Sequence, residues 1–223
     1  MENNIQNSSP STTRIEAFSD GVFAIVVTLL VLELAVPVLG HEATDEQAEK
    51  SLIALIPKFI SWAMSFIVVA IFWVNHHQFM HSLKKADRKL LWHNMHLLFW
   101  ISFIPFPTAF IGEYYTLKTA AFLFGCVLFM AALAFYLLSR YAHMKSDLHK
   151  DLPIEVRTFG MRKALIAPVF YSLSMVFAFI NPTISIIIFF LVAIIFFIPL
   201  DFMDPEEMMK KRQHKLHHLK KKS

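Results

Sequence analysis

Six long apolar stretches divide the chain, and polar or charged segments separate most of them. Spanning the hydrocarbon core of a bilayer takes about 20 apolar residues in a helix, and each stretch approaches or reaches this length. The pattern predicts an all-α integral membrane protein with six transmembrane helices. The stretches cover residues 18–37, 52–74, 90–111, 119–138, 164–180 and 183–200.

Two features inside this pattern predict where the helices are interrupted. Pro105 and Pro107 lie near the end of the third stretch, and because proline cannot donate a backbone hydrogen bond, we expect a kink or an unwound turn there. Asn181 and Pro182 separate the fifth stretch from the sixth, which predicts a tight turn between two antiparallel helices.

The composition excludes an ordinary soluble domain. Hydrophobic residues make up 56% of the chain and charged residues 17%, whereas an average soluble domain has about 25% charged residues. The polar N-terminal segment lacks the pattern of a removable signal peptide, so we expect the first apolar stretch to remain in the mature protein.

The distribution of Lys and Arg predicts the orientation. With six spans both termini share one side of the membrane, and 18 of the 21 basic residues lie on that side, which is therefore expected to be cytoplasmic. The opposite loop, residues 41–50, carries Glu42, Asp45, Glu46 and Glu49. It either attracts cations to an external mouth or is a solvated linker.

The first apolar stretch follows a polar cluster. Residues 21–32 have no charged side chain, while Arg14, Glu16, Ser19 and Asp20 precede them within two turns. At about 3.6 residues per helical turn, one apolar stripe forms on this helix, and Phe18 and Val22 continue it towards the N-terminus. The stripe consists of Ile25, Leu29 and Leu32, with Thr28 at its edge. Such spacing alone is typical of packing against another helix or lipid.

Asp20 requires a partner at the membrane boundary. An unpaired charge costs about 2.5–3.5 kcal/mol at mid-membrane and less towards the edge. Candidate partners are Arg14 of the same or a neighbouring subunit, and Trp73 or His77, whose ring nitrogens donate hydrogen bonds. We interpret this cluster as a structural clamp on the first helix and not as a catalytic site.

The pattern Arg-x-x-x-Phe-Ser-Asp, formed by Arg14, Phe18, Ser19 and Asp20 before an apolar run, resembles the signature of the transmembrane protein 175 family of endolysosomal-type potassium channels. The pattern Trp-x-x-x-His, formed by Trp73 and His77, and the six-span layout extend the resemblance over nearly the whole chain. The resemblance places all six of these residues in the clamp.

The resemblance also implies a function. In this family the first helix of each subunit lines the pore, and bacterial members with one six-helix repeat work as homotetramers. Carried over by position, Ile25 forms the pore constriction, Leu29 and Leu32 form further rings, and Thr28 is a polar member. The implied activity is passive conduction of cations, with potassium favoured over sodium, and no catalysis, cofactor or bound metal is expected.

The potassium preference follows from the resemblance and not from the residues. The chain has no TVGYG-like filter, and a ring of Ile side chains offers no ligand to a dehydrated cation. A hydrophobic constriction can gate by dewetting. Selectivity then depends on pore width, on Thr28 or on neighbouring polar layers.

Histidine pairs leave two alternative functions open. His77 with His81, and His93 with His96, have spacings that can hold a metal, so a His-liganded membrane oxidoreductase is one alternative. A non-conducting membrane scaffold is the other. We favour hydrogen-bonding histidines, because no cysteine or carboxylate set completes either pair. The uncharged middle of every span argues against a coupled transporter.

The predicted domain organisation has three parts. Residues 1–13 form a disordered cytoplasmic N-terminus, residues 14–200 the six-helix channel domain, and residues 201–223 a basic cytoplasmic tail. The tail is expected to contact anionic lipids, and with no folded reader domain we expect no nucleic-acid binding. The predicted location is a bacterial inner (plasma) membrane.

Overall fold

The computed structural model describes residues 12–145, Leu148 and residues 154–197. Within these residues the fold is all-helical, without β-strands. Eight helices follow one another along the described chain: α1 (Thr12–Val31), α2 (Asp45–Ala54), α3 (Ile56–His81), α4 (Arg88–Phe103), α5 (Pro105–Glu113), α6 (Lys118–Met144), α7 (Ile154–Ile180) and α8 (Pro182–Phe197).

Four helical segments among the described residues are long and apolar enough to cross a membrane. They are Ile56–His81, Arg88–Glu113, Lys118–Met144 and Gly160–Ile180, and Pro182–Phe196 is a shorter apolar helix. The second segment combines α4 and α5. Three charged residues fall within the first nine positions of α1, and α8 has only 16 residues. That α1 and α8 also cross the membrane, which would complete the six spans, therefore stays a prediction.

Both predicted helix interruptions are confirmed. Helix α4 ends at Phe103 and α5 begins at Pro105. Helix α7 ends at Ile180 and α8 begins at Pro182, and the Asn181 Oδ1 atom accepts a hydrogen bond of 2.9 Å from the Thr183 amide.

Helix boundaries differ from the prediction at both ends of α1. The helix begins at Thr12, inside the segment predicted to be disordered, and ends at Val31. Residues 32–34 form turns, in which the Leu32 amide donates to the Leu29 carbonyl at 3.1 Å. Pro37 disfavours helical backbone at residue 36, which agrees with an end upstream of it. Residues 1–11 of the predicted N-terminal segment lie outside the described residues.

The predicted cytoplasmic loop over residues 139–163 is shorter than expected. Helix α6 continues to Met144 and α7 begins at Ile154, because helices extend into polar flanks made of residues with good helix propensity. The last residues of the sixth predicted span, 198–200, and the whole predicted tail lie outside the described residues.

Helix α6 is the centre of the fold and packs on α4 and α7. Its buried face is rich in alanine, which allows close approach of neighbouring helices, as is common in membrane proteins. At Gly125 an added Cβ would lie 3.1 Å from Met175 Cγ and 3.2 Å from Ser174 Oγ. Side chains of α7 therefore come within van der Waals distance of the α6 backbone at a position where α6 has no side chain.

Asp87 fixes the turn between α3 and α4. Its Oδ1 atom accepts a hydrogen bond of 2.7 Å from the Leu90 amide, which caps α4. Its Oδ2 atom accepts a hydrogen bond of 2.5 Å from the Tyr141 hydroxyl on α6. Burial by itself raises the pKa of the Asp87 carboxyl, but these hydrogen bonds and the charge of Lys145 outweigh it, so that the pKa lies below the ordinary 3.8.

Replacement of Asp87 tests this link. Asp87→Ala should lower the free energy of unfolding by about 1 kcal/mol at neutral pH, since it removes a helix cap as well as the bond from Tyr141. Because the folded pKa is lowered, this stabilisation is present above the unfolded pKa and is lost as the pH falls through the folded pKa.

The measurement is the thermal unfolding midpoint of the purified protein in detergent at pH 7 and at progressively lower pH. The exposed Glu49→Ala is the matched control and should have no effect. A difference between Asp87→Ala and the original chain that stays constant down to pH 2 would contradict the role of the ionised carboxylate.

Candidate functional site

Helix α1 has two distinct faces. One face packs against α3, α4 and α5 and is fully or almost fully buried, with positions three or four apart along the helix. Its members are Ile15, Ser19, Phe23, Val26 and Leu30.

The opposite face of α1 is uncovered in the single chain. Ile25 is 59% exposed, Leu29 43%, and Leu32, in the turn after the helix, 70%. The Thr28 hydroxyl on this face donates a hydrogen bond of 2.8 Å to the Ile25 carbonyl. This is the stripe singled out in the sequence, and its exposure indicates that lipid, another subunit or a pore lies against it.

Asp20 is paired with Trp73. The Trp73 Nε1–H donates a hydrogen bond of 2.9 Å to Asp20 Oδ1. Of the three candidate partners, the indole is therefore the one that contacts this carboxylate in the single chain.

Glu16 forms a second contact between α1 and α3. His77 Nδ1 lies 3.0 Å from Glu16 Oε1, and the His77 ring lies 5.9 Å from the Trp73 ring, measured between centroids. Glu16 and Asp20 are four residues apart on α1, and Trp73 and His77 are four residues apart on α3. Because the two helices are antiparallel, Asp20 meets Trp73 on one turn and Glu16 meets His77 on the next. Glu16 belongs to the polar cluster found in the sequence but was not among the six residues named for the clamp, although this matched spacing could have indicated it.

A third contact is buried. The Ser19 hydroxyl donates to the Ile15 carbonyl at 2.8 Å and accepts a hydrogen bond of 2.9 Å from the Asn94 amide on α4. The Asn94 Oδ1 atom lies 2.8 Å from His76 Nε2 on α3, and because this oxygen is an acceptor, Nε2 is the protonated nitrogen. All three side chains are fully buried, so one polar chain joins α1, α3 and α4.

Sequence reasoning missed His76 and Asn94. A signal for each exists: His76 adjoins the predicted His77, and Asn94 is a carboxamide within an otherwise largely apolar third stretch. A buried amide of this kind needs hydrogen-bond partners.

The six predicted clamp residues thus have different environments. Ser19, Asp20, Trp73 and His77 bond α1 to α3 or α4. Arg14 is exposed and has no ion pair within the described part of the chain. Phe18 is 56% exposed and continues the uncovered face of α1.

His93 and His96 form ordinary contacts. His96 Nε2 accepts a hydrogen bond of 3.0 Å from the Trp100 indole, and the His93 ring lies 5.0 Å from that of Tyr141. Over residues 12–145, 148 and 154–197, no three His, Cys, Asp or Glu side chains are grouped as metal ligands would be.

The acidic loop contains a short, exposed helix. Thr44 caps α2 in a reciprocal pair of hydrogen bonds with Gln47, and Glu46 pairs with Lys50 at 2.6 Å. No residue of α2 is buried.

Comparison with known proteins identifies chains that are similar to this one. Residues 14–105, which span most of α1 and all of α2, α3 and α4, match a family model described as the endosomal/lysosomal potassium channel TMEM175. A protein of Chryseobacterium sp. (strain P1-3), named a potassium channel, is 35% identical over 194 residues, which cover 83% of this chain and 92% of that protein. A protein of Chamaesiphon minutus, also named a potassium channel, is 34% identical over 197 residues, or 83% of this chain and 93% of that protein.

A solved structure is similar in fold. The crystal structure of a lysosomal potassium-selective channel TMEM175 homolog from Chamaesiphon minutus superimposes with a TM-score of 0.75 and 31% sequence identity. The superposition covers 85% of this chain and 98% of that chain.

The buried polar chain can be tested by replacing its central residue. Asn94→Leu preserves approximate volume but leaves Ser19 and His76 without their partner, and a buried group left unsatisfied costs about 1–3 kcal/mol. We expect a lower unfolding midpoint in detergent.

Asn75→Leu is the matched control, because the Asn75 amide donates only to the Ile71 carbonyl of its own helix. Equal midpoints for the two variants would contradict a role of Asn94 in joining the three helices.

Proposed function

We propose, for this member of the TMEM175 family, that four copies surround a central pore lined by the uncovered face of α1. The chain is a potassium channel of the membrane, and ion conduction rather than catalysis is its activity. The observation that carries the pore assignment is the division of α1 into a face bonded to its own chain and an apolar face that no described residue covers.

Geometry explains why several copies are needed. A helix of 20 residues is about 30 Å long, which matches the bilayer core, but one helix cannot enclose a pore. Four copies related by a rotation axis bring the same face of each α1 to the axis. We therefore propose a homotetramer, with each α1 supported from behind by α3 and α4.

Ile25 is the proposed constriction. Its side chain is charge-free and well exposed on the uncovered face, so a ring of four excludes water when narrow and gates by dewetting. Leu29 and Leu32 form further rings beyond it, and Phe18 lies towards the cytoplasmic end. The Thr28 hydroxyl uses its proton within the helix, which leaves oxygen lone pairs for a passing cation.

The clamp sets the rotation of α1 about its own axis. Asp20 and Glu16 bond to α3, and Ser19 bonds to α4, so contacts with two neighbouring helices are defined within little more than one turn. A turn of α1 by one residue, about 100°, would break these bonds and move Ile25 away from the axis. We propose that Arg14, next to this clamp, pairs with a carboxylate of a neighbouring subunit.

The proposed topology has six spans, formed by α1, α3, α4 with α5, α6, α7 and α8, and both termini in the cytoplasm. We propose residues 14–200 as the channel domain, preceded by a short N-terminal segment and followed by a basic tail that contacts anionic lipids. The membrane is proposed to be the inner membrane of a bacterium.

Truncation at the constriction tests the pore assignment. Ile25→Ala should widen the narrowest ring and raise potassium flux several-fold, and the measurement is flux into proteoliposomes under a potassium gradient and then a sodium gradient. Ile187→Ala on α8, which is similarly exposed at 52%, is the matched control and should leave flux unchanged.

Potassium flux that is identical in the two variants would place the constriction elsewhere. Absence of flux from verified tetramers of the original chain would favour a non-conducting scaffold.

Replacement of Asp20 tests whether this residue stabilises the assembled protein or takes part in ion conduction. Asp20→Ala removes the acceptor of the Trp73 bond, so we expect a lower yield of assembled protein in size-exclusion chromatography before any change in ion preference. An unchanged yield together with an altered ratio of potassium to sodium flux would instead assign Asp20 to the ion pathway.

A further inference from the structure

A cleft lies behind the end of α1 that is opposite the clamp. It has a volume of about 300 Å³ and is partly open to the surroundings. Residues from the turn after α1, from the start of α3 and from α5 line it, among them Glu33, Lys58, Ser61, Thr108, Glu113 and Tyr114.

Two of the three charged side chains of the cleft form an ion pair with each other. Lys58 Nζ lies 2.5 Å from Glu113 Oε2, with the two side chains 31% and 50% exposed. Within the described residues, the Glu33 carboxylate has no ion pair or side-chain hydrogen bond. The Glu33 carboxylate is therefore the one charged group of the cleft that has no partner among the described residues.

The hydroxyl groups of the cleft are also acceptors. Ser61 donates its proton to the Lys58 carbonyl at 2.9 Å, and Thr108 donates to the Ile104 carbonyl at 2.8 Å. The ammonium of Lys58 is paired with Glu113, while lone pairs of Ser61, Glu33 and Glu113 remain, so carboxylates outnumber cations among the lining side chains by two to one. The cleft is complementary to a ligand that donates several hydrogen bonds and carries a positive charge.

The walls of the cleft are aromatic. The Phe110 and Tyr114 rings are 5.1 Å apart between centroids, and Phe106 is 55% exposed beside them. Aromatic faces attract ammonium groups and also contact alkyl chains. The volume exceeds that of a single metal ion and lies at the lower end of the range for small-molecule sites.

We propose that this cleft binds a primary alkylammonium group, with Glu33 as its counter-ion and the aromatic side chains around its alkyl part. Two sources supply this chemistry: a free amine, and the ethanolamine headgroup of a phospholipid. Because Glu33 directly follows α1, the occupant contacts the end of the proposed pore helix without entering the pore.

Close packing shapes the base of the cleft. At Gly112 an added Cβ would lie 2.5 Å from Ser61 Oγ and 3.1 Å from Lys58 Cα, so α5 approaches α3 where it has no side chain. Ala109, by contrast, lines the cleft and is only half-buried. Ala109→Leu therefore fills volume without removing a polar group.

Binding is measured directly and does not depend on ion flux. The full chain is placed in nanodiscs of phosphatidylglycerol, which has no amine, and titrated with n-butylammonium chloride by calorimetry, with n-butanol as the neutral probe. We expect saturable binding of the ammonium and none of the alcohol. Glu33→Gln should weaken binding about tenfold, as loss of a charge-assisted bond does, and Ala109→Leu should weaken it similarly.

Glu42→Gln, an exposed acid in the loop after α1, is the control for general surface charge and should bind as the original chain does. Nanodiscs containing phosphatidylethanolamine distinguish the sources: competition with n-butylammonium assigns the cleft to the lipid headgroup, and no competition assigns it to a free amine. Binding by Glu33→Gln and Ala109→Leu that is as tight as in the original chain, or no saturable binding at all, would overturn the proposal, whether or not the chain conducts potassium.

Discussion

Two carboxylates at the start of α1 determine how this helix is held. Glu16 and Asp20 precede an uninterrupted apolar run, and a charge at the edge of a bilayer is costly unless a partner meets it. The indole of Trp73 and the ring of His77 meet both from α3. Because these contacts lie on consecutive turns, they define which face of α1 is directed inward, and thereby leave the face with Ile25 and Leu29 uncovered.

The buried chain from Ser19 through Asn94 to His76 adds a contact of a different kind. It is fully removed from solvent, where each hydrogen bond must be formed within the protein because no water replaces it. The contacts of Asp20 with Trp73 and of Glu16 with His77 are partly exposed and contribute orientation, whereas the buried chain ties α4 to α1 and α3. At the other end, α1 stops at Val31 and continues into turns, so its support there is mainly apolar. The firmly held end of the helix is the one with the clamp.

Physical requirements made part of this structure predictable from the sequence. The break at Pro105 follows from the backbone donor that proline lacks. The turn at Asn181 follows from the two residues that separate the fifth apolar stretch from the sixth. Asp20 needs a hydrogen-bond donor because it lies at the predicted membrane boundary. The early end of α1 was not predictable from hydrophobicity, since Leu34, Ala35 and Val36 are as apolar as the helix itself. Glu16, His76 and Asn94 were missed because their roles depend on which helices are neighbours and how each is rotated, and periodicity within one helix does not contain that information.

The central claim is that the uncovered face of α1 faces an aqueous pore and the opposite face does not. The most direct measurement uses single cysteines on α1 in a Cys126→Ser background: Ile25→Cys and Leu29→Cys on the uncovered face, and Val26→Cys and Leu30→Cys on the buried face. A charged, water-soluble thiol reagent is added to conducting proteoliposomes while potassium flux is recorded. The account predicts that flux changes for Ile25→Cys and Leu29→Cys and stays constant for the other two. Modification that alters flux at Val26→Cys or Leu30→Cys, but at neither uncovered position, would contradict it.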